Sequence, residues 1–136
     1  MNMKTKNNKL SLYINTSLND LIVIKVLNNG EVIVNRKIKA NKDQAEKLVP
    51  AIDKLLSQNK IPLQALKKII VANSGSSFTS LRIGVITANA LGYALKIPVE
   101  AESKTGKTSK KFANYSLVEP IYSQEPNIGA PKSTVY

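Results

Sequence analysis

The sequence predicts one α/β domain: a mixed five-stranded sheet in the order 3-2-1-4-5 with two main helices on one face. Three observations predict it. Residues 10–38 hold three stretches of strand character joined by turn residues. Asn41–Gln58 carries apolar residues at helical spacing, and Lys67–Leu95 reads as strand, Ser/Gly loop and buried helix, followed by a strand at Ile97–Ala101. The element order is therefore βββαβαβ. Right-handed crossovers return each helix-linked strand beyond the first one and put both helices on the same face. A chain of 136 residues fits one domain with a sizeable core.

Met1 to Lys9 is polar and basic and is expected to be a disordered start, ahead of a domain over 10–101 and a linker and tail over 102–136. Leu10–Thr16 alternates, with Leu10, Leu12 and Ile14 on one face and Ser11, Tyr13 and Asn15 on the other. Ser17–Asp20 is a turn. Leu21–Leu27 is apolar on both faces except at Lys25, as a central strand would be. Asn28-Asn29-Gly30 signals a tight hairpin, and Glu31–Ile38 is a more polar strand suited to a sheet edge. In Asn41–Gln58, with Asn41 or Asp43 as cap, Ala45, Leu48, Val49, Ile52, Leu55 and Leu56 line one face. Pro50 removes a backbone donor there and is expected to kink or split the helix near Val49. Ile61–Leu66 is a short helical approach to the strand at Lys67–Ala72.

The stretch Asn73–Gly84 organises the chain. Gly75 offers a positive φ or a close backbone approach, and Ser77 or Thr79 can cap the helix that follows. Along that helix Ser80, Gly84, Ala88 and Gly92 recur every four residues and make one small-residue stripe, flanked by Leu81, Leu91 and Leu95. Such a stripe lets another helix or a sheet come close. With Leu48, Ile52 and Leu55 of the preceding helix, these residues are the expected partner interface.

Composition narrows the chemistry. There is no cysteine and no histidine, which excludes disulfides, thiolate catalysis, histidine bases and histidine metal sites. No secretory signal or membrane span is visible, so a cytoplasmic protein is expected. The net charge of +11 attracts nucleic acid or another acidic partner, but lysines are scattered and Arg36 and Arg82 are the only arginines. Gly106-Lys107-Thr108 lacks the earlier glycine of a phosphate-binding loop, because position 101 is alanine; Glu102–Lys111 reads as a solvated linker.

Ser74–Gly84, S-G-S-S-F-T-S-L-R-I-G, resembles the G-P-G-S-F-T-G-L-R-I-G signature of the TsaB (YeaZ) family, the non-catalytic partner subunit of the bacterial machinery that makes threonylcarbamoyladenosine in tRNA. Gly75, Ser76, Ser77, Phe78, Thr79 and Arg82 form its motif loop; Phe78, Thr79, Leu81, Arg82, Ile83 and Gly84 match the pattern, while a proline and three glycines are replaced. Ala88–Val99 is similar to the family's helix and its exit. Leu12–Ser17 is similar to the family's L-x-I-D-T-S start, and Glu119–Pro126 to its tail, where Gln124 stands in place of an arginine. The resemblance covers most of 10–101 plus 118–126, with only a short linker where a second lobe would stand, so the chain reads as an internally shortened member.

The resemblance implies a ribonuclease-H-like lobe of the actin/sugar-kinase (ASKHA) fold. It also implies a role in tRNA threonylcarbamoyladenosine modification as a subunit that does no chemistry. The expected partners are a TsaD-type catalytic subunit, held as a heterodimer through the two helices, and a TsaE-type ATPase. A homodimer is expected for the chain alone, contact with tRNA only indirect or weak, and neither membrane nor cofactor involved. In that superfamily the first strand ends in an aspartate that holds a metal or its water; here the position is Asn15, and an amide lacks the charge for it. Two alternatives stand beside this reading: a basic RNA-binding module, and a small degenerate ATPase or phosphotransferase of the same superfamily. Phe112, Tyr115, Leu117, Ile121 and Tyr122 are the expected cover for the sheet face that the helices leave bare.

Overall fold

The structure, a computed structural model, describes residues 9–18, 20–75, 78–102, 109–111, 116–118 and 121–122. Strands β1 (Leu10–Leu18), β2 (Leu21–Asn28) and β3 (Glu31–Lys39) form an antiparallel meander. Helix α1 (Gln44–Gln58) leads through a single 3₁₀ turn to β4 (Leu66–Val71) and a two-residue strand β5 (Ser74–Gly75). Helix α2 (Phe78–Leu95) and β6 (Val99–Ala101) follow, then three short tail strands, β7 (Ser109–Lys111), β8 (Ser116–Val118) and β9 (Ile121–Tyr122). The main sheet runs β3-β2-β1-β4-β6, the expected order, with β4 parallel to both β1 and β6.

The alternation read in the sequence sets the faces. Leu12 and Ile14 of β1, Ile22, Ile24 and Val26 of β2, Ile69 and Val71 of β4 and Val99 of β6 pack under Leu48, Ile52, Leu55 and Leu56 of α1 and Val85 and Ala88 of α2. Both helices thus lie on one face. Each aliphatic side chain sealed there contributes about 1.5–3 kcal/mol relative to exposure. The other face presents Ser11, Tyr13 and Asn15, with Lys25 and Ile70 registered on either side of Tyr13. The hairpin turn has Asn29 and Gly30 both at positive φ, 55° and 88°, the primed geometry that the right-handed strand twist favours.

Several boundaries differ from the sequence reading. β1 runs two residues past Thr16, bending at an irregularity between Asn15 and Leu18. α1 starts at Gln44; Asp43 is its N-cap residue but makes no side-chain cap bond. Its carboxylate instead accepts from the backbone N–H of Asn41 and pairs with Lys47 at 3.3 Å. Pro50 does not split the helix, which is continuous through it. Leu48, Ile52 and Leu55, buried on both sides of the proline, hold the two halves to one sheet, and packing overrides the lost backbone bond. α2 starts at Phe78, so Thr79 is an exposed residue of its first turn and not a cap; Ser76 and Ser77 lie outside the described residues. Gly75 pairs as part of β5. Ile97 and Pro98 are loop because Lys96 turns left-handed (φ 60°) and Ile97 N–H bonds back to Gly92 C=O.

The tail also departs from expectation. Residues 109–111 and 116–118 are a small antiparallel hairpin, with β8 lying against α2 and β6. β9 runs parallel to β5, beside the organising loop. The edge strand β6 hydrogen-bonds in the main sheet only to β4, and the hairpin lies beside it through both of its strands. Phe112 and Tyr115, two of the expected covering residues, lie outside the described residues.

Candidate functional site

The end of β1 comes first, since the nucleotide chemistry of the superfamily would need a carboxylate there. Asn15 spends its amide on its own neighbours. Its Oδ1 accepts from the Ser17 backbone N–H at 2.8 Å and from the Ser17 hydroxyl at 2.7 Å, while its Nδ2 donates to the Tyr13 hydroxyl at 3.1 Å. Tyr13 in turn donates to Glu102 Oε1 at 2.9 Å, and Lys25 Nζ stands 5.0 Å from the centre of its ring. Burial raises the Tyr13 phenol well above its usual range; the hydrogen bond to Glu102 and that carboxylate's charge add to it, and the donation from Asn15 offsets part. This network is closed on itself. Among the described residues no three carboxylates converge as a metal site would need.

The next residue ties β1 to α2. Thr16 is fully buried; its hydroxyl donates to Ser80 C=O at 2.5 Å and accepts from Gly84 N–H at 3.0 Å, bridging two groups one helical turn apart. A Cβ on Gly84 would stand 2.6 Å from that hydroxyl oxygen. One on Gly92 would stand 2.3 Å from Val99 Cγ2. Ser80 and Ala88 are buried too, at 5% and 0% exposure. The small-residue stripe is thus the seat of α2 on its own sheet, and Ser80, Gly84, Ala88 and Gly92 do not offer their surface to another chain. Leu48, Ile52, Leu55 and Leu81 share that core, leaving Leu91 and Leu95, of the expected interface residues, partly exposed. The physical reason is plain: a close approach needs small residues on the side that meets the strands, and the sheet takes that side first.

What the helix layer shows outward is a different set. Val49 of α1 is 57% exposed, and on α2 Ile86 is 60% and Tyr93 56% exposed. Ile86 and Tyr93 lie seven positions apart, two helical turns, so they share one stripe with the exposed Arg82. Beside it, between α1, the loop after it and α2, runs an apolar groove of about 340 Å³ lined by Val49, Ile52, Leu56, Ile61, Leu63 and Leu91 among others. The sequence carried a signal for Ile86 and Tyr93, since they stand opposite the stripe on the helical wheel of α2; taking the stripe as the outward face hid them.

Comparisons with known proteins bear on this arrangement. A family model described as TsaD, tRNA N6-adenosine threonylcarbamoyltransferase, matches residues 31–105. The chain is 32% identical over 112 residues to the tRNA threonylcarbamoyladenosine biosynthesis protein TsaB of Bacillus subtilis, covering 82% of this chain and 48% of the relative. It is 27% identical over 109 residues to the protein of the same name from Buchnera aphidicola, covering 77% and 49%. The solved structure of YeaZ from Pseudomonas aeruginosa superposes with a TM-score of 0.64 at 25% identity, over 70% of this chain and 44% of that one. The chain spans about half the length of the curated relatives it matches.

Sheet order and two helices on one face define a ribonuclease-H-like lobe of the actin/sugar-kinase fold. The chain belongs to the family whose model, described as TsaD, tRNA N6-adenosine threonylcarbamoyltransferase, matches more than half of it, and within that family it is TsaB-like.

Proposed function

We propose that this chain is a non-catalytic subunit that docks a TsaD-type catalytic subunit, through the outward faces of α1 and α2, in threonylcarbamoyladenosine modification of tRNA. The observation that carries the reading is the apolar outer surface of the helix layer. Val49, Ile86 and Tyr93 are each more than half exposed beside an apolar groove, and a second pair of helices would bury them in a four-helix layer. Membership of a family whose relatives are named for threonylcarbamoyladenosine biosynthesis supports the pathway. The absence of histidine and cysteine from the sequence, and the self-satisfied amide of Asn15, support a subunit that does no chemistry of its own.

The test is co-expression with the TsaD-type protein of the same genome. A tagged copy of this chain should retain that protein through size exclusion as a one-to-one complex, and the purified chain alone should turn over no ATP. Failure of the two to co-elute at micromolar concentration, or ATP hydrolysis abolished by a substitution in this chain, would overturn the reading.

A further inference from the structure

The lysines that look scattered along the sequence are gathered by the sheet. Residues 36–42, Arg-Lys-Ile-Lys-Ala-Asn-Lys, hold four cations and no carboxylate. In β3 the strand period puts Lys37 and Lys39 on one face, registered with Val23 and Leu21 of β2. Lys25 is registered with Asn35 and shares that face, the one away from the helices. Lys42 follows where β3 ends, exposed and in a left-handed conformation (φ 67°). β3 is the outermost strand of the main sheet, so the ribbon is open along its outer side among the described residues.

Of the carboxylates nearby, Asp43 pairs with Lys47, Glu31 lies at the far end of the hairpin, and Asp20 bounds the patch through its backbone, which accepts from Ala40 N–H; Glu100 and Glu102 line the cleft beside Lys25, the first paired with Lys68 and the second accepting from the Tyr13 hydroxyl. The ion pairs among the described residues are Lys47–Asp43 and Lys68–Glu100, and neither draws on Lys25, Lys37, Lys39 or Lys42. Uncompensated like charges at strand spacing repel one another, and a polyanion relieves that repulsion.

We infer that the exposed β2–β3 ribbon, through Lys37, Lys39 and Lys42 with Lys25 beside them, binds the phosphodiester backbone of RNA. The ligand class follows from what the patch has and lacks. It has repeated ammonium groups along an extended strand, which suit a repeated monoanion. Among the described residues it has no exposed aromatic on which a base can stack, because Tyr13 is 9% exposed and lies beneath Lys25. Contact is therefore with phosphates, independent of base sequence and steeply dependent on salt. The inference stands apart from the docking face of α1 and α2, since it concerns the opposite side of the sheet and is tested on the isolated chain.

The experiment measures binding of the full chain to an in vitro transcribed tRNA by fluorescence anisotropy between about 50 and 200 mM salt. The wild-type affinity should fall steeply across that range. Lys37→Gln, Lys39→Gln and Lys42→Gln combined should weaken binding about tenfold or more at the low end and reduce the log–log salt slope by about 2–3, one increment for each phosphate contact removed. A control of equal charge loss outside the ribbon, Lys54→Gln, Lys60→Gln and Lys67→Gln, should lose clearly less affinity and salt slope than the ribbon variant. All six side chains are exposed, and unchanged circular dichroism confirms the fold. Wild type without salt-dependent binding, or a control that loses as much as the ribbon variant, would overturn the site. Polyglutamate bound as tightly as tRNA would overturn the assignment to RNA.

Discussion

Replacing Gly84 by alanine adds one methyl group and should cost more than most single changes in this chain. The new Cβ would lie 2.6 Å from Thr16 Oγ1 and 3.4 Å from Ile14 Cγ2, against a strand that cannot retreat without disturbing the sheet. Thr16 must turn away and surrender two buried hydrogen bonds, to Ser80 C=O and from Gly84 N–H, at about 1 kcal/mol each. Overpacking adds about 1–3 kcal/mol, and alanine's better helix propensity returns about 1 kcal/mol. The net loss is about 2–4 kcal/mol, or a melting temperature lower by roughly 10 °C for a chain of this size. Urea unfolding followed by far-ultraviolet circular dichroism reads it directly, since the chain has no tryptophan to follow. The decisive comparison is in a Thr16→Ala background. With the hydroxyl gone, neither the clash nor its two hydrogen bonds remain to be lost, and Gly84→Ala should then cost less than about 1 kcal/mol, a coupling of about 2 kcal/mol. An equal loss in both backgrounds would refute the reasoning.

Three further outcomes follow from the same packing. Gly92→Arg and Ala88→Arg should unfold the chain rather than merely abolish association, because both positions face the sheet; a folded monomer by circular dichroism and light scattering would contradict that placement. Lys60, left-handed at φ 56° where α1 ends, should be improved by glycine, with Lys60→Gly raising stability by about 0.5–1 kcal/mol in urea unfolding, the left-handed penalty less the entropy glycine adds to the unfolded chain. The Tyr13 phenol, held protonated by burial and Glu102, favours the folded state in full below the ordinary phenol value of about 10 and ceases to as pH rises beyond it. Stability should therefore decline above about pH 10 less steeply in Tyr13→Phe than in wild type, and equal slopes would contradict the assignment.

Much of this fold was legible because local and global signals agree. Asn29-Gly30 fixes the first hairpin, the alternation from Leu10 assigns the two faces of β1, and handedness alone orders the sheet once the strands and helices are placed. The small-residue stripe was legible as a stripe but not as to which body it meets. Periodicity places Ser80, Gly84, Ala88 and Gly92 on one side of α2; only Thr16 and Val99, distant or on another element, show that the side faces inward. Pro50 misled for a related reason, since its local cost is outweighed by Leu48, Ile52 and Leu55, whose burial is a tertiary fact. β5 and β9 are two residues each, too short to alternate, and their pairing joins positions almost fifty residues apart. The basic ribbon was hidden because Lys25 and Lys37 become neighbours only through the register of β2 with β3.

The proposed docking face is tested most directly by the affinity of the TsaD-type protein of the same genome for Ile86→Arg, measured by isothermal titration beside wild type and Lys54→Gln. Ile86 is 60% exposed and the large ion adds no clash within the chain, so the variant should keep its melting temperature. Placing a charge in the centre of an apolar interface should weaken the complex by a factor of about one hundred or more, on the scale of interface hot spots, while Lys54→Gln changes it little. A folded Ile86→Arg variant that binds as tightly as wild type would contradict the account.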